Sequence, residues 1–347
     1  MNTINLEECG YGDYFKSQEN DIRKEQRELI VARITEVHKE QYKIICSLGE
    51  YSAKLKGSFL YSVTDSEEYP TVGDFVLVKL SQGKEAVIYD VFRRKSKFSR
   101  FDTVKKSEQL VASNFDYVFI MTSLNYDLNL RRLERYLTVA WESGGIPVII
   151  LTKSDLCDNI NEKKAEVMKV ALGVSVISLS SFTGEGLEKV ASYFEKGKTV
   201  VFLGSSGVGK SSLVNAIIGE TIMDVNSIRE DDSRGRHTTT HRQLIKLRDG
   251  GMIIDTPGMR ELSAFHGENG MERVFDDIEE IAKECRFRDC NHDKEPGCAV
   301  KKALDNGEIS CERWESYMKL RREVRFIEKK YAGEKVKQKK ANRRKYI

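Results

Sequence analysis

Two groups of residues in this chain of 347 have types and spacing suited to chemistry. The first follows the apolar run Thr199-Val200-Val201-Phe202-Leu203. Gly204-Ser205-Ser206-Gly207-Val208-Gly209-Lys210-Ser211 then fits G-x-x-x-x-G-K-[ST] at every fixed position, with Ser212 after it. Glycines let successive backbone N–H groups turn toward phosphate oxygens. The helix expected over Leu213–Ile218 adds the partial positive charge of its N-terminus to the same place. Lys210 would reach the β- and γ-phosphates and Ser211 would ligate Mg²⁺, which makes this a nucleotide-phosphate site. The second group, Cys285-x₄-Cys290-x-His292-x₅-Cys298, offers four soft or borderline ligands within 14 residues. That set suits a closed tetrahedral Zn²⁺ site of structural role, one ion per chain.

Three further stretches select the nucleotide. Asp255-Thr256-Pro257-Gly258 ends an apolar strand 45 residues after Lys210. Asp255 would hold the Mg²⁺ shell through water, and the Gly258 N–H would face the γ-phosphate. Thr152-Lys153-Ser154-Asp155 follows the apolar strand Val148–Leu151 and fits the [NT]-K-x-D slot of guanine-binding proteins. Its Asp155 carboxylate would accept from guanine N1–H and the 2-amino group, and adenine would leave it unpaired. Lys153 would lie along the base plane. Thr152 departs from the commoner Asn, and its hydroxyl still provides one polar bond. After the next strand, Ser180-Ser181-Phe182-Thr183-Gly184 can present a backbone N–H to guanine O6.

The order of these stretches is inverted relative to Ras-like GTPases. The base-reading elements precede the phosphate loop, and the switch elements come last, so the same sheet is entered at a different strand. Between loop and D-x-P-G lies Ser233-Arg234-Gly235-Arg236-His237-Thr238-Thr239-Thr240-His241, which reads as a loop. Thr239, with Thr238 as the alternative, is the candidate to close over Mg²⁺ and the γ-phosphate. Met259 stands where Ras-like proteins carry a water-orienting Gln, and a thioether cannot orient water. His237 is then the candidate for that task; its other reading is a solvated loop residue.

These sites need a scaffold, and the chain is too long for one ordinary core. Residues 1–27 are polar and charged and read as a short helical arm. Five short β-rich runs between Glu28 and Phe92 suit a small closed barrel, an OB-fold, that either binds oligonucleotide or is structural. Arg93 to Ser113 reads as a basic connector, either a solvated linker or an RNA-facing segment. Strands at 117–121, 148–151 and 174–177 alternate with helices at 130–141, 162–172 and 187–194, the pattern of an α/β sheet. Leu244–Leu247 and Met252–Ile254 read as an antiparallel pair. Val300 to about Tyr331 reads as helical. No apolar run approaches the ~20 residues of a membrane span. Seven cysteines, three of them crowded with a histidine, suit metal ligation in a reducing cytoplasm. From Arg313 onward there are 14 Lys/Arg against four Asp/Glu, a net of +10, so the rest carries −7 of the overall +3. Nucleic acid is the natural partner of such an end.

The threonine-rich Gly235–Thr240, the permuted order, the barrel in front and the Cys-x₄-Cys-x-His-x₅-Cys spacing behind resemble the ribosome small-subunit-dependent GTPase A (RsgA) family. The likeness covers nearly all of the chain from Glu28. It implies a multidomain α/β protein: an arm (1–27), an OB-fold barrel (28–95), a circularly permuted P-loop GTPase domain (96–265), a zinc-binding helical module (266–331) and a basic tail (332–347). It also implies GTP hydrolysis to GDP, stimulated by the small (30S) ribosomal subunit and its rRNA, in late subunit maturation. A cytoplasmic monomer is expected. Two other readings are a GTPase with a protein partner and an RNA-binding protein whose nucleotide site is vestigial. The long acidic arm and Thr152 are departures from the family pattern.

Overall fold

The computed structural model describes residues 3–23, 28–38, 41–62, 66–102, 107–125, 127–219, 242–248, 250–255 and 268–345. Helix α1 (Asp13–Arg23) leads into strands β1 (Ile30–His38), β2 (Gln41–Cys46) and β3 (Gly49–Leu55), the short α2 (Gly57–Ser62), then β4 (Phe75–Leu80) and β5 (Glu85–Val91). β1 pairs with both β2 and β4, β3 runs parallel to β5, and β4 pairs with β5, so the five strands close into an OB-like barrel. Period-two alternation fills it: Ala32, Ile34, Tyr42, Ile44, Val76, Val78 and Ile88 point inward. The opposite face of β1 and β4 is also buried, because the N-terminal segment covers it. Tyr11 and Phe15 pack on Phe75 with ring centroids 5.4 and 4.4 Å away. The arm expected to be helical does carry a helix, α1, and its Tyr11 and Phe15 join a core with Leu29, Val31, Leu77 and Phe92.

The expected connector is a hairpin, β6 (Lys97–Asp102) against β7 (Ser107–Ser113). Three of its cations pair with acids of the fold. Arg94 grips Asp74 through two bonds of 2.8 and 2.7 Å, Lys95 pairs with Asp116 at 2.7 Å, and Lys97 with Glu67 at 2.9 Å. Counting charge along the sequence could not reveal that acids from the barrel and from the next strand meet this segment.

Next come β8 (Tyr117–Ser123), α3 (Leu130–Glu142), β9 (Ile146–Thr152), α4 (Ile160–Val170), β10 (Ser175–Ser178), α5 (Leu187–Ala191), β11 (Thr199–Gly204), α6 (Lys210–Ile218), β12 (Gln243–Lys246) and β13 (Met252–Asp255). The strands order as β10-β9-β8-β11-β13-β12, all parallel except the β12–β13 pair. Side chains alternate between two cores across this sheet. Val118, Ile120, Val201 and Leu203 face one, and Phe119, Met121, Val200 and Phe202 face the other. β12 also pairs with β1 through Gln243 and Glu36, which joins barrel and sheet into 11 continuous strands.

Arg33 locks that junction from a fully buried position on β1. It donates to the carbonyls of Cys9 (2.7 Å), Asn114 (2.9 Å) and Gly73 (3.2 Å) and to Thr199 Oγ1 (3.0 Å). Burial brings its pKa down to about 10, with Asp116 and Asp74 opposing the shift.

The chain closes with α7 (Glu268–Val274), α8 (Asp276–Lys283), α9 (Ala299–Asp305) and α10 (Cys311–Lys345). The helix expected from Val300 is thus two, broken where Gly307 takes φ +77°. The basic end continues α10 rather than forming a separate tail. Lys, Arg, Gln and Ala favour helix, and extending an existing helix needs no new nucleus.

Candidate nucleotide site and metal centre

The loop Gly204–Ser211 joins β11 to α6 at the carboxyl edge of the parallel strands, where α/β sheets take ligands. Its glycines answer to geometry: a Cβ at Gly204 would lie 2.7 Å from Met121 O, and Gly209 holds φ +104°. Ser206 and Gly207 form the exposed tip, while Val208 is buried beneath it. Ser211 and Ser212 lie half-buried in the first turn of α6, whose N-terminus carries no side-chain cap. Lys210 Nζ donates to Asp255 Oδ1 at 2.6 Å, bringing the loop lysine to the end of β13.

The base-reading stretches arrive at the same edge on β9 and β10. Lys153 takes the left-handed conformation at φ +57°, which turns the chain into a single 3₁₀ turn carrying Asp155. Asp155 is exposed and Ser154 is buried, with its N–H donating to Leu179 O at 3.1 Å. Ser180 is buried, and its hydroxyl accepts from the N–H groups of Phe182 and Thr183, each at 3.2 Å. Its side chain is thus spent on shaping the turn; Ser181 lies half-buried beside it. Thr152 does more than its sequence slot suggests. Its hydroxyl donates to Val208 O at 2.6 Å, tying the base-reading turn to the phosphate loop. His237, Thr238, Thr239, Gly258 and Met259 lie outside the described residues.

One contact escaped the sequence reading: Ser205 Oγ donates to Asp127 Oδ2 at 2.6 Å. Asp127 belongs to no nucleotide motif, so only the fold could bring it there.

In the C-terminal region Cys285, Cys290, His292 and Cys298 place their ligand atoms within 4.8 Å of one another. A tetrahedral ion with bonds of about 2.3 Å to sulfur and about 2.0 Å to nitrogen spaces its ligands at about 3.8 Å (S to S) and about 3.5 Å (S to N). The Cys285–Cys298 sulfurs are 3.9 Å apart, and His292 Nδ1 lies 3.5 Å from each. The four residues fit zinc. Glu295 shapes the loop between them by accepting from the N–H groups of Asn291, Asp293 and Lys294; its own backbone N–H first, then these, hold its carboxyl down at about 2. This module docks on α3 through Arg313, which pairs with Glu134 at 2.6 Å and Asp277 at 2.8 Å over the Phe275 ring. Ser316 donates to the second Glu134 oxygen.

A G-x-x-x-x-G-K-S loop on a parallel sheet, with the T-K-S-D turn entering before it in the chain, fits a circularly permuted P-loop GTPase, here with an OB-like barrel and a Cys₃His group. Residues 91–265 match the family model described as RsgA GTPase. The small ribosomal subunit biogenesis GTPase RsgA 2 of Lactiplantibacillus plantarum is 44% identical, over 93% of this chain and 90% of that protein. The RsgA 1 protein of Listeria innocua is also 44% identical, over 94% and 91%. Among solved structures, YjeQ from Thermotoga maritima superposes with a TM-score of 0.63 at 27% identity, over 85% of this chain and 98% of that one. YloQ, titled a circularly permuted GTPase, shares the fold at TM-score 0.60 and 23% identity, over 87% and 97%. The chain belongs to the RsgA GTPase family. It is accordingly a GTP-hydrolysing enzyme, which sets aside the reading as an RNA binder with a vestigial nucleotide site. Among the described residues, no helix is long and apolar enough to cross a membrane.

Proposed function

We propose that this protein is a cytoplasmic, monomeric assembly GTPase that docks on the small (30S) ribosomal subunit late in its maturation and hydrolyses GTP there. The observation that carries the nucleotide reading is the Thr152 bond to Val208 O, because it sets the Asp155 turn beside the phosphate loop. Asp155 then pairs with the guanine edge, Lys153 lies along the base, and the turn at Ser180 and Ser181 offers an N–H to O6. Backbone N–H groups of Gly204–Gly209 cradle the β-phosphate, and Lys210 reaches between the β- and γ-phosphates. Ser211 and Thr239 are the residues to hold Mg²⁺, with Asp255 behind its water and Gly258 N–H toward the γ-phosphate. Held there, the ion would supply positive charge to offset that of the phosphates. His237 orients the attacking water in place of the missing glutamine. Cys285, Cys290, His292 and Cys298 hold one structural zinc.

The small-subunit partner is supported by the relatives' names and by the basic C-terminal half of α10, which suits rRNA phosphates. Pelleting with purified small subunits tests it. The protein bound to a non-hydrolysable GTP analogue should co-sediment at low salt. If about six of its cations meet phosphates, log affinity should fall against log salt with a slope near −5, and truncation after Tyr331 should flatten that slope. Absence of co-sedimentation at low salt, whatever the nucleotide, would overturn the partner.

A further inference from the structure

Asp127 stands in the turn between β8 and α3, where the nucleotide motifs prescribe nothing, yet it accepts the Ser205 hydroxyl at 2.6 Å. A carboxylate beside a loop that receives polyphosphate repels its own ligand, so its presence calls for a counter-charge. Arg132 supplies it, with Nη2 at 2.7 Å from Asp127 Oδ1. Arg132 sits in the first turn of α3, and that turn is capped by the Asn129 side chain accepting from Arg132 N–H at 2.9 Å. Arg132 also donates to the Asp127 carbonyl, which takes a second bond from Thr122 Oγ1 at 3.1 Å. Asp127 is therefore held through main chain and side chain before it meets Ser205, and of the pair Ser205 is the one being positioned.

The other end of the loop is held in the same way, by Thr152 on Val208 O. The two clamps come from the ends of β8 and β9, which are neighbouring parallel strands. Between them only the tip, Ser206 and Gly207, is exposed. A loop fixed on both flanks presents its N–H groups already ordered, so the ligand need not order them on binding.

We propose that Asp127 is a positioning residue of the GTP site: with Arg132 it fixes Ser205, and so sets the N–H groups of Ser205–Gly207 for the β-phosphate. This rests on reading Gly204–Ser211 as the phosphate loop, and Lys210→Ala serves as the control for that reading.

The test is calorimetric titration of GDP and GMP into wild type, Asp127→Ala, Ser205→Ala, their double variant, Asp127→Asn and Lys210→Ala. Asp127→Ala and Ser205→Ala should each weaken GDP binding about tenfold, the scale of a lost hydrogen bond to a charged group. The double variant should lose no more than either single one, because both remove the same contact. GMP, which lacks the β-phosphate, should change less than about twofold, whereas general damage to the site would weaken both nucleotides alike. Asp127→Asn keeps an acceptor for Ser205 and should fall between wild type and Asp127→Ala. It and Ser205→Ala keep the test open should Asp127→Ala fail to fold. GDP binding close to wild type in Asp127→Ala while Lys210→Ala has lost it would overturn the proposal, as would losses that multiply in the double variant or an equal loss for GMP. Undiminished GDP binding in Lys210→Ala would instead overturn the phosphate-loop reading itself.

Discussion

In the proposed nucleotide site the groups that would meet phosphate are backbone N–H groups, shaped by glycines at 204 and 209 and steadied by the Thr152 and Asp127 side chains. At the Cys₃His group the candidate metal ligands are side chains alone, while the backbone between them is held by Glu295 and by the N-terminus of α9, where Cys298 accepts from Lys301 N–H. A backbone-built site tolerates the loss of one side chain, because its N–H groups remain. A side-chain-built site does not, because each ligand is one quarter of the coordination shell. The first site belongs to the sheet and folds with it. The second lies among short helices, which a zinc ion held there would stabilise.

The largest effect expected from that contrast is at the knot. Cys298→Ser should leave the protein without zinc by elemental analysis and unfold the helices around it, while GDP still binds, because none of the residues assigned to the nucleotide is among the four ligands. Wild-type protein that carries no zinc, with its three ligand cysteines readily alkylated in the native state, would remove the metal from the account. Next in size is Asp155→Asn, which swaps an acceptor for a donor against the guanine edge. Its cost in GTP affinity should be about 2–4 kcal/mol, with xanthine nucleotide gained, and zinc content unchanged. Equal calorimetric affinity of wild type for ATP and GTP would show that this turn does not read the base. The smallest is Thr152→Val, which keeps the shape and deletes the hydroxyl that reaches Val208 O. A loss near 1 kcal/mol, or about fivefold in GDP affinity, is expected from one neutral hydrogen bond. No loss at all would mean that the phosphate loop holds its shape without that clamp.

What was legible in the sequence divides along the same line. Gly204, Gly209 and Lys210 are visible because backbone geometry and phosphate charge demand those residue types, and the Cys₃His spacing is visible because coordination demands it. The barrel strands were legible because alternation writes the buried face into the chain, as Tyr42, Ile44 and Cys46 do on β2. The clamps were hidden. Thr152 and Asp127 act on residues 56 and 78 positions away, and nothing local marks such a pairing. The connector misled for a related reason: Arg94, Lys95 and Lys97 look solvated until Asp74, Asp116 and Glu67 are brought to them by the fold. Arg33 is the extreme case, a charge that solvent should claim, buried because acceptors from separate segments surround it.

The proposal that the enzyme works on the small ribosomal subunit is tested most directly by single-turnover GTP hydrolysis, with and without purified small subunits, for wild type and His237→Ala. Free protein should turn over slowly, at ~10⁻⁴ to 10⁻² s⁻¹, the range of GTPases whose attacking water is not held in place. Subunits should raise the wild-type rate by at least about tenfold through positioning, and His237→Ala should bind GTP and subunits normally yet lose most of that gain. A wild-type rate that subunits leave unchanged would contradict the account.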